Sequence, residues 1–446
     1  MFSSVDIYSP VSPKSKISNE YEITIGDLHS NTLLFLFFLR KNQIFLISDE
    51  DYSFIVKAYI DLESAQKRNL PLEEVKPNIE KIIQIISDCT VLNKPRLRLI
   101  GDEMADRGVS DLFILMILQK LHLHQVPYRI LLSNHGLCFL SLFFGWANNT
   151  IQKNWILTPE MSFKGLKYAI DIGVYPFDFI HTLVRVVYLP FLDVIDYSLC
   201  PIKQRISIYS HAAIGLADIT LLAEYCNVEM RSQTIRELAS TIENIKHQFR
   251  QRKFDPLCHL LGQASDKTDK KGAFEVLKPV INSVLWKICW NTNYTPKNLE
   301  RSKYLHNYQV GYVHGHDYEK LSEYLKEAHC ITEAHCITLD GKLGKSLDEH
   351  SGELKEFKTK DVPLSEYTEY SFLYKLLMRH VYQPEGYGKY FPYVAFGLAI
   401  FVIQKNSNNH LSKVFSLFSN ASNAMFKGSN LQNQPHPDLS RFSVLQ

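Results

Sequence analysis

Gly101-Asp102-Glu103-Met104-Ala105-Asp106-Arg107-Gly108 follows a short, mostly apolar run from Leu97 to Ile100. That run has the length and composition of a buried strand, so the octet is expected to form a strand-end loop. An Asp-x-x-x-Asp-Arg sequence is a poor structural choice at a strand end unless something cationic and something anionic sit there. A divalent metal and a phosphate would satisfy both demands. The plain alternative is a solvated acidic turn.

Four other short apolar strands end in similar chemistry. Glu22 to Ile25 runs into Gly26-Asp27-Leu28-His29-Ser30-Asn31, Tyr128 to Leu132 into Ser133-Asn134-His135-Gly136, and Ile206 to Tyr209 into Ser210-His211-Ala212. Val310 to Val313 ends in His314-Gly315-His316-Asp317. Each signal is weak alone, because Asp-x-His and single histidines occur by chance. Together they place oxygen and nitrogen ligands at five carboxyl ends, where open α/β sheets bind ligands. A mixed oxygen and nitrogen set without thiolate suits manganese, iron or zinc and argues against a soft copper site. The strand–helix–strand–helix order predicts a mainly parallel sheet at this end of the fold.

The bulk numbers fit this picture. With 446 residues, 46% hydrophobic and 22% charged, the chain can fold as one large domain with insertions or as two domains. A net charge of +2 gives no global pull toward nucleic acid. The eight cysteines form no C-x-x-C pair, so the expectation is reduced thiols in a cytosol-like compartment. Residues 1–18 are rich in Ser and Pro, lack a signal-peptide core and are expected to be mobile. Tyr393 to Ile403 is too short for the roughly 20 apolar residues of a membrane span, so no transmembrane segment is expected.

Residues 41–95 have helical spacing in two parts and read as an insertion between the first two motif strands. Residues 150–200 also look helical. Ile235, Leu238, Ile242, Ile245 and Phe249 step by 3, 4, 3 and 4. That is a coiled-coil seam, and residues 217–300 are expected to form a projecting helical hairpin for a protein partner. The alternative is a helix packed on the core. Glu327–Thr332 is repeated at Glu333–Thr338, more plausibly a duplication feeding a strand than a metal box. Ile337 to Asp340 could pair with Glu353 to Phe357. Residues 366–446 are expected to hold a C-terminal helical segment and a loose tail.

The order of these motifs, over roughly residues 22 to 360, resembles the phosphoprotein-phosphatase branch of the calcineurin-like metallophosphoesterases. That family runs GDxHG, GDxxDRG, GNHE and two separated histidines. Within it, the likeness extends to effector phosphatases of Legionella. The resemblance implies an α/β (α+β) metallophosphoesterase β-sandwich flanked by helices, spanning 19–365, with large helical insertions. It implies two divalent metal ions, manganese first with iron or zinc as alternatives, and hydrolysis of protein phosphomonoesters by a hydroxide bridging the metals. Asp27 and His29 would ligate the first metal, Asp102 would bridge both, and Asn134, His211 and His316 would complete the second. His135, held by Asp106, would be the general acid, and Arg107 would bind the phosphoryl oxygens alongside Asn134. His314 is the rival to His316. An effector would be secreted by the bacterium into its host cell.

The departures matter. Ser30 and Ser133 stand where the pattern has glycine, and Gly136 where it has glutamate. The family's second phosphate arginine is absent from Trp290-Asn291-Thr292-Asn293, leaving Lys297 or Arg301 to substitute. A remodelled clamp favours phosphotyrosine over phosphoserine or phosphothreonine. A nucleotide or dinucleoside-polyphosphate hydrolase and an inactive scaffold are the rival readings.

Overall fold

In the computed structural model the chain is described over residues 2–11, 19, 21–68, 72–147, 161–200, 204–265, 270–290, 303–315, 336–339, 343 and 349–365. All of these lie in the first of two compact units, Met1–Glu369, the second being Tyr370–Gln446. His316, Lys297, Arg301, the first copy of the repeat and the segment 366–446 lie outside the described residues. Among the described residues no helix is long and apolar enough to cross a membrane.

The chain opens with β1 (Phe2–Asp6) and β2 (Glu22–Ile25), then α1 (Thr32–Lys41). A two-stranded clasp, β3 (Phe45–Leu46) with β4 (Thr90–Val91), brackets α2 (Asp49–Arg68) and α3 (Lys76–Asp88). β5 (Arg96–Leu99), α4 (Asp111–Leu123), β6 (Tyr128–Leu131) and α5 (Asn134–Ala147) follow. Next come α6 (Met161–Asp171), α7 (Phe177–Leu183), a π-helical turn (Val184–Tyr188), β7 (Leu192–Asp193), β8 (Asp196–Cys200) and β9 (Arg205–Ser210). The helices α8 (Leu216–Tyr225), α9 (Ile235–Gln248), α10 (Phe254–Ser265), α11 (Lys270–Ile281) and α12 (Val284–Trp290) lead to the last strands. These are β10 (Tyr304–Leu305), β11 (Tyr308–His314), β12 (Cys336–Thr338) and β13 (Ser351–Thr359).

The strands form two larger sheets, with helices around them. One has the order β1-β13-β2-β5-β6-β7, and the other β10-β11-β9-β8 with β12 beside β11. As the sequence predicts, β2, β5 and β6 are parallel; β9 and β11 of the second sheet are parallel too. Ile25 is level with Leu99 and Leu99 with Ile130, while Tyr209 is level with Val313. The motif loops of each sheet therefore leave from a common edge. A small apolar cluster of Ile100, Leu131, Tyr209, Val313 and Leu339 joins the two sheets at that edge. Beneath it Arg98 of β5 lies 3.6 Å over the ring of Tyr209 of β9 and bonds Asp196 of β8.

Several expectations are corrected. The start of the chain is not wholly mobile: Phe2–Asp6 pairs antiparallel with β13, and Ile7 is buried. Edge pairing and one buried isoleucine outweigh the Ser/Pro composition nearby. Glu353 to Phe357 lies in β13, which pairs with β1 and β2, whereas β12 runs parallel to β11. Strand β8 falls in a stretch expected to be helical. Its Asp196 is buried because Arg98 and Lys246 neutralise it, so its polarity hides a core strand.

The projecting hairpin is also corrected. Thr234 caps α9, accepting from Glu237 N while its own N–H donates to Glu237 Oε2. Leu238, Ile242, Ile245 and Phe249 are fully buried, and α9 packs on β8 and β9. A stripe at 3–4 spacing covers a sheet as readily as another helix. Here Lys246, in that same face, reaches Asp196 Oδ1 at 2.6 Å, which fixes the helix to the sandwich. α10 in turn packs on α5 and α11.

Candidate metal centre

The central loop is held by its neighbours at every turn. Gly101 takes φ +129°, and a Cβ there would stand 2.5 Å from His211 Nδ1 and 2.7 Å from Ser133 Cβ. His29, Ser30, Asp102 and Ala105 all adopt left-handed φ between 50° and 54°. Each such residue costs on the order of 1–2 kcal/mol, and such residues cluster at functional sites. Outside anchors offset that cost. Asp102 N donates to Ser133 Oγ (3.0 Å), Asp106 N to Ser30 Oγ (2.9 Å), and Ser30 N to Asp102 O (2.8 Å). The two serines that depart from the family pattern are thus hydrogen-bond posts for this loop.

The loops bring most of the anticipated ligands together. Ligand atoms of Asp27, Asp102 and His211 lie within 4.8 Å of one another, as do those of His29, Asp102 and Asp106. All five residues are buried, and Asp102 belongs to both groups. Asn134, at the start of α5, puts Oδ1 2.8 Å from His211 Nε2, which is also 3.4 Å from Asp102 Oδ1. His211 Nδ1 is 3.0 Å from the Ile100 carbonyl, an N–H donor geometry. Its Nε2 faces Asn134 Oδ1 and Asp102 Oδ1, so the ring and both side chains converge on one point. This donor set, with the buried Asp106 Oδ1 accepting no hydrogen bond among the described residues, fits divalent cations.

The fifth strand end also reaches the site. A Cβ on Gly315 would come within 2.0 Å of Asp27 Oδ1, so that backbone lies directly against the first carboxylate. His314 is buried, with Nδ1 2.6 Å from the Gly315 carbonyl oxygen, and belongs to neither ligand group.

One expected contact differs. Asp106 Oδ2 pairs with His29 Nδ1 at 2.9 Å, whereas His135 Nε2 stands 3.7 Å from Asp106 Oδ1. His135 is fixed through Nδ1, 2.9 Å from the Ala105 carbonyl. The loop has three residues between its carboxylates, one more than the family's GDxxDRG. The buried floor opens on a polar rim, with the His135 side chain 20% and the Arg107 side chain 49% exposed. Arg107 Nε is 3.4 Å from Asp106 Oδ1.

Sequence reasoning missed two buried acids. Glu103 is fully buried, and burial pushes its carboxyl up to about 8. Asp111, in the first turn of α4, accepts Ala105 N at 3.0 and 3.1 Å, and burial raises it to about 7. Its only sequence signal is the Ser110-Asp111 helix start. A carboxyl raised on folding binds more protons in the folded state. Stability is then lost as pH rises from about 4 toward 7. Asp111→Asn should flatten that slope, with its advantage over wild type growing by a few degrees across this window. Melting temperatures of metal-stripped protein between pH 5 and 8 check it; an unchanged slope would remove Asp111 as its source.

Comparisons with known proteins agree with this geometry. Residues 96–345, more than half of the chain, match the family model described as WipA-like, phosphatase domain. Among solved structures, the crystal structure of the phosphatase domain from the Legionella effector WipB aligns with a TM-score of 0.54 at 28% identity. The match covers 66% of this chain and 99% of that one. No curated protein sequence matches the chain. With the motif loops assembled on a helix-flanked sandwich, the chain belongs to the WipA-like phosphatase domain family.

Proposed function

We propose that this protein is a metal-dependent phosphoprotein phosphatase that uses two divalent cations, manganese first, with a preference for phosphotyrosine. The observation that carries the reading is that Asp102 belongs to both buried ligand groups. Asp102 would serve both cations, with Asp27 and His211 grouped about it for one, beside Asn134, and His29 and Asp106 for the other, and with His316 as a further ligand. When bound, such cations neutralise phosphoryl oxygens and acidify water. Arg107, on the rim, offers a planar fork to the phosphate. Asn134 would share the substrate contact. His135 has Nδ1 committed to the Ala105 carbonyl, so its Nε2 is the atom that would give a proton to the leaving oxygen. Asp106 Oδ1 stands 3.7 Å from that Nε2.

The tyrosine preference rests on two features. The stretch after Trp290 lacks the family's second arginine. α12 also carries Trp286 stacked on Trp290 at 3.8 Å, and its Ile288 carbonyl accepts Ala212 N at 2.9 Å, next to His211. An aromatic surface on a helix bound to the site loop suits an aryl ester. The relative is a Legionella effector, which favours delivery of this chain into a host cell as well.

Matched phosphotyrosine and phosphothreonine peptides, assayed with manganese and with metal content measured on the same sample, test the proposal. Faster turnover of phosphotyrosine is expected, together with loss of activity on chelation. Equal rates would remove the preference, and turnover insensitive to chelation would remove the metal role. His135→Asn should keep its metal and lose about 10²–10⁴ in kcat on a poor leaving group. It should lose far less on p-nitrophenyl phosphate, whose leaving group needs little protonation. Undiminished turnover of the poor leaving group would exclude His135 as the acid.

A further inference from the structure

Glu103 and Tyr188 lie behind the site, and none of the roles above uses them. Tyr188 closes the π-helical turn that follows α7, and such turns often mark functional positions. Both side chains are fully buried, and the Tyr188 hydroxyl donates to Glu103 Oε1 at 2.5 Å. No cation pairs with Glu103 among the described residues, and its Oε2 accepts no hydrogen bond among them. A fully buried carboxyl whose side-chain donor is the Tyr188 hydroxyl is costly to enclose.

Gly136 shows what the pair is set against. A Cβ there would lie 3.1 Å from Ser133 Oγ, 3.4 Å from Tyr188 Oη and 3.8 Å from Glu103 Oε1. Ser133 Oγ accepts both Asp102 N (3.0 Å) and Gly136 N (2.8 Å). The Asp102 loop, the α5 start bearing Asn134 and His135, and the π-helical turn thus meet at one hydrogen-bonded knot. Asp102 sits at φ 53°, so its turn needs anchors on both sides. Ser133 supplies the one at Asp102 itself, and Glu103 the one just after it.

We propose that the Tyr188–Glu103 hydrogen bond is the positioning device of the metal centre, fixing the Asp102 turn against the start of α5 and so setting the spacing of Asp102, Asn134 and His211. The inference rests on the metal-centre reading given above. Glu103 acts through Asp102, and Tyr188 through Glu103. A Cβ on Gly136 would crowd Ser133 Oγ and come into ordinary contact with Tyr188 and Glu103.

The test uses Tyr188→Phe, Glu103→Ala, Glu103→Gln and the Tyr188→Phe/Glu103→Ala double variant. Each is stripped of metal and titrated calorimetrically with manganese, then assayed for kcat and KM on a phosphopeptide. Removing one partner of a buried hydrogen bond costs roughly tenfold in an equilibrium constant, about 1.4 kcal/mol. Tyr188→Phe and Glu103→Ala are expected to weaken manganese binding about tenfold and to lower kcat similarly, with KM unchanged. Glu103→Gln keeps an acceptor for Tyr188 and should restore most of both. The double variant should be no worse than either single one. Wild-type manganese affinity in Tyr188→Phe, fully additive losses, or a Glu103→Gln variant as poor as Glu103→Ala would each overturn the inference. Tyr188→Phe removes one oxygen and keeps the ring, so it serves even if Glu103→Ala does not fold. If wild type itself neither binds manganese nor turns over, the metal-centre reading fails, which is a different result from wild-type behaviour in the variants.

Discussion

Asp102→Asn should abolish turnover and strip the protein of both metals together. Asp102 is the residue common to the two ligand groups, and its backbone is fixed by Ser133 Oγ and by the left-handed turn. The amide is nearly the same size, so the loop has no steric reason to move. What disappears is one negative charge between two proposed cation positions, beside the buried Asp27, Asp106 and His211. Metal ions supply several kcal/mol of transition-state charge stabilisation, so a loss of about 10³ in kcat or more is expected. Metal content measured on the purified variant decides the point. Two ions retained would end the bridging role, and loss of only one would assign Asp102 to a single site.

Arg98→Met should be the most destabilising single change in the sandwich, while leaving the metal ligands themselves intact. The guanidinium is buried between the sheets. Its Nε donates to Asp196 Oδ2 at 2.7 Å, its Nη2 to Glu22 Oε1 at 2.5 Å and its Nη1 to Thr24 Oγ1 at 3.1 Å. Methionine fills much of the volume but leaves two carboxylates buried without that partner. Breaking a buried pair from one side costs about 3–5 kcal/mol. For a domain of this size that is a fall in melting temperature of roughly 5–15 °C. Replacing Glu22 and Asp196 by their amides in the same background should recover much of the loss, since the charges go together. A melting temperature within a degree of wild type would show that the network is neutralised some other way.

The same network sets an acid limit. Burial acts to raise Asp196, but Arg98 and Lys246 outweigh it and hold the carboxyl below the usual range. A depressed carboxyl contributes stability above its unfolded value, near pH 4, and that contribution is lost as pH falls further.

Much of this was legible residue by residue. Glu22–Ile25 is the strand β2 as read, and β5, β6, β9 and β11 lie within two residues of their expected bounds. They were visible because a short apolar run stopped by glycine, aspartate or histidine is a local signal. Strand β8 was not, because Asp-Tyr-Ser reads as surface until Arg98 and Lys246 are placed beside it. The α9 stripe was seen, but periodicity marks a buried face without naming what buries it. The pairing of Phe2–Asp6 with β13 spans almost the whole unit and leaves no short-range trace.

The sequence by itself determined the parallel pairing of the first motif strands, the ligand types at successive strand ends and the likeness to a phosphatase motif series. These depend on which residues are neighbours in the chain. Only the tertiary structure decided that Asp106 bonds His29 while Ala105 fixes His135, that the α9 seam faces the sandwich, and that Tyr188 reaches Glu103 across 85 positions. Those are contacts between distant segments. Their partners are chosen by burial and by the need to satisfy each enclosed charge, and no local pattern encodes that choice.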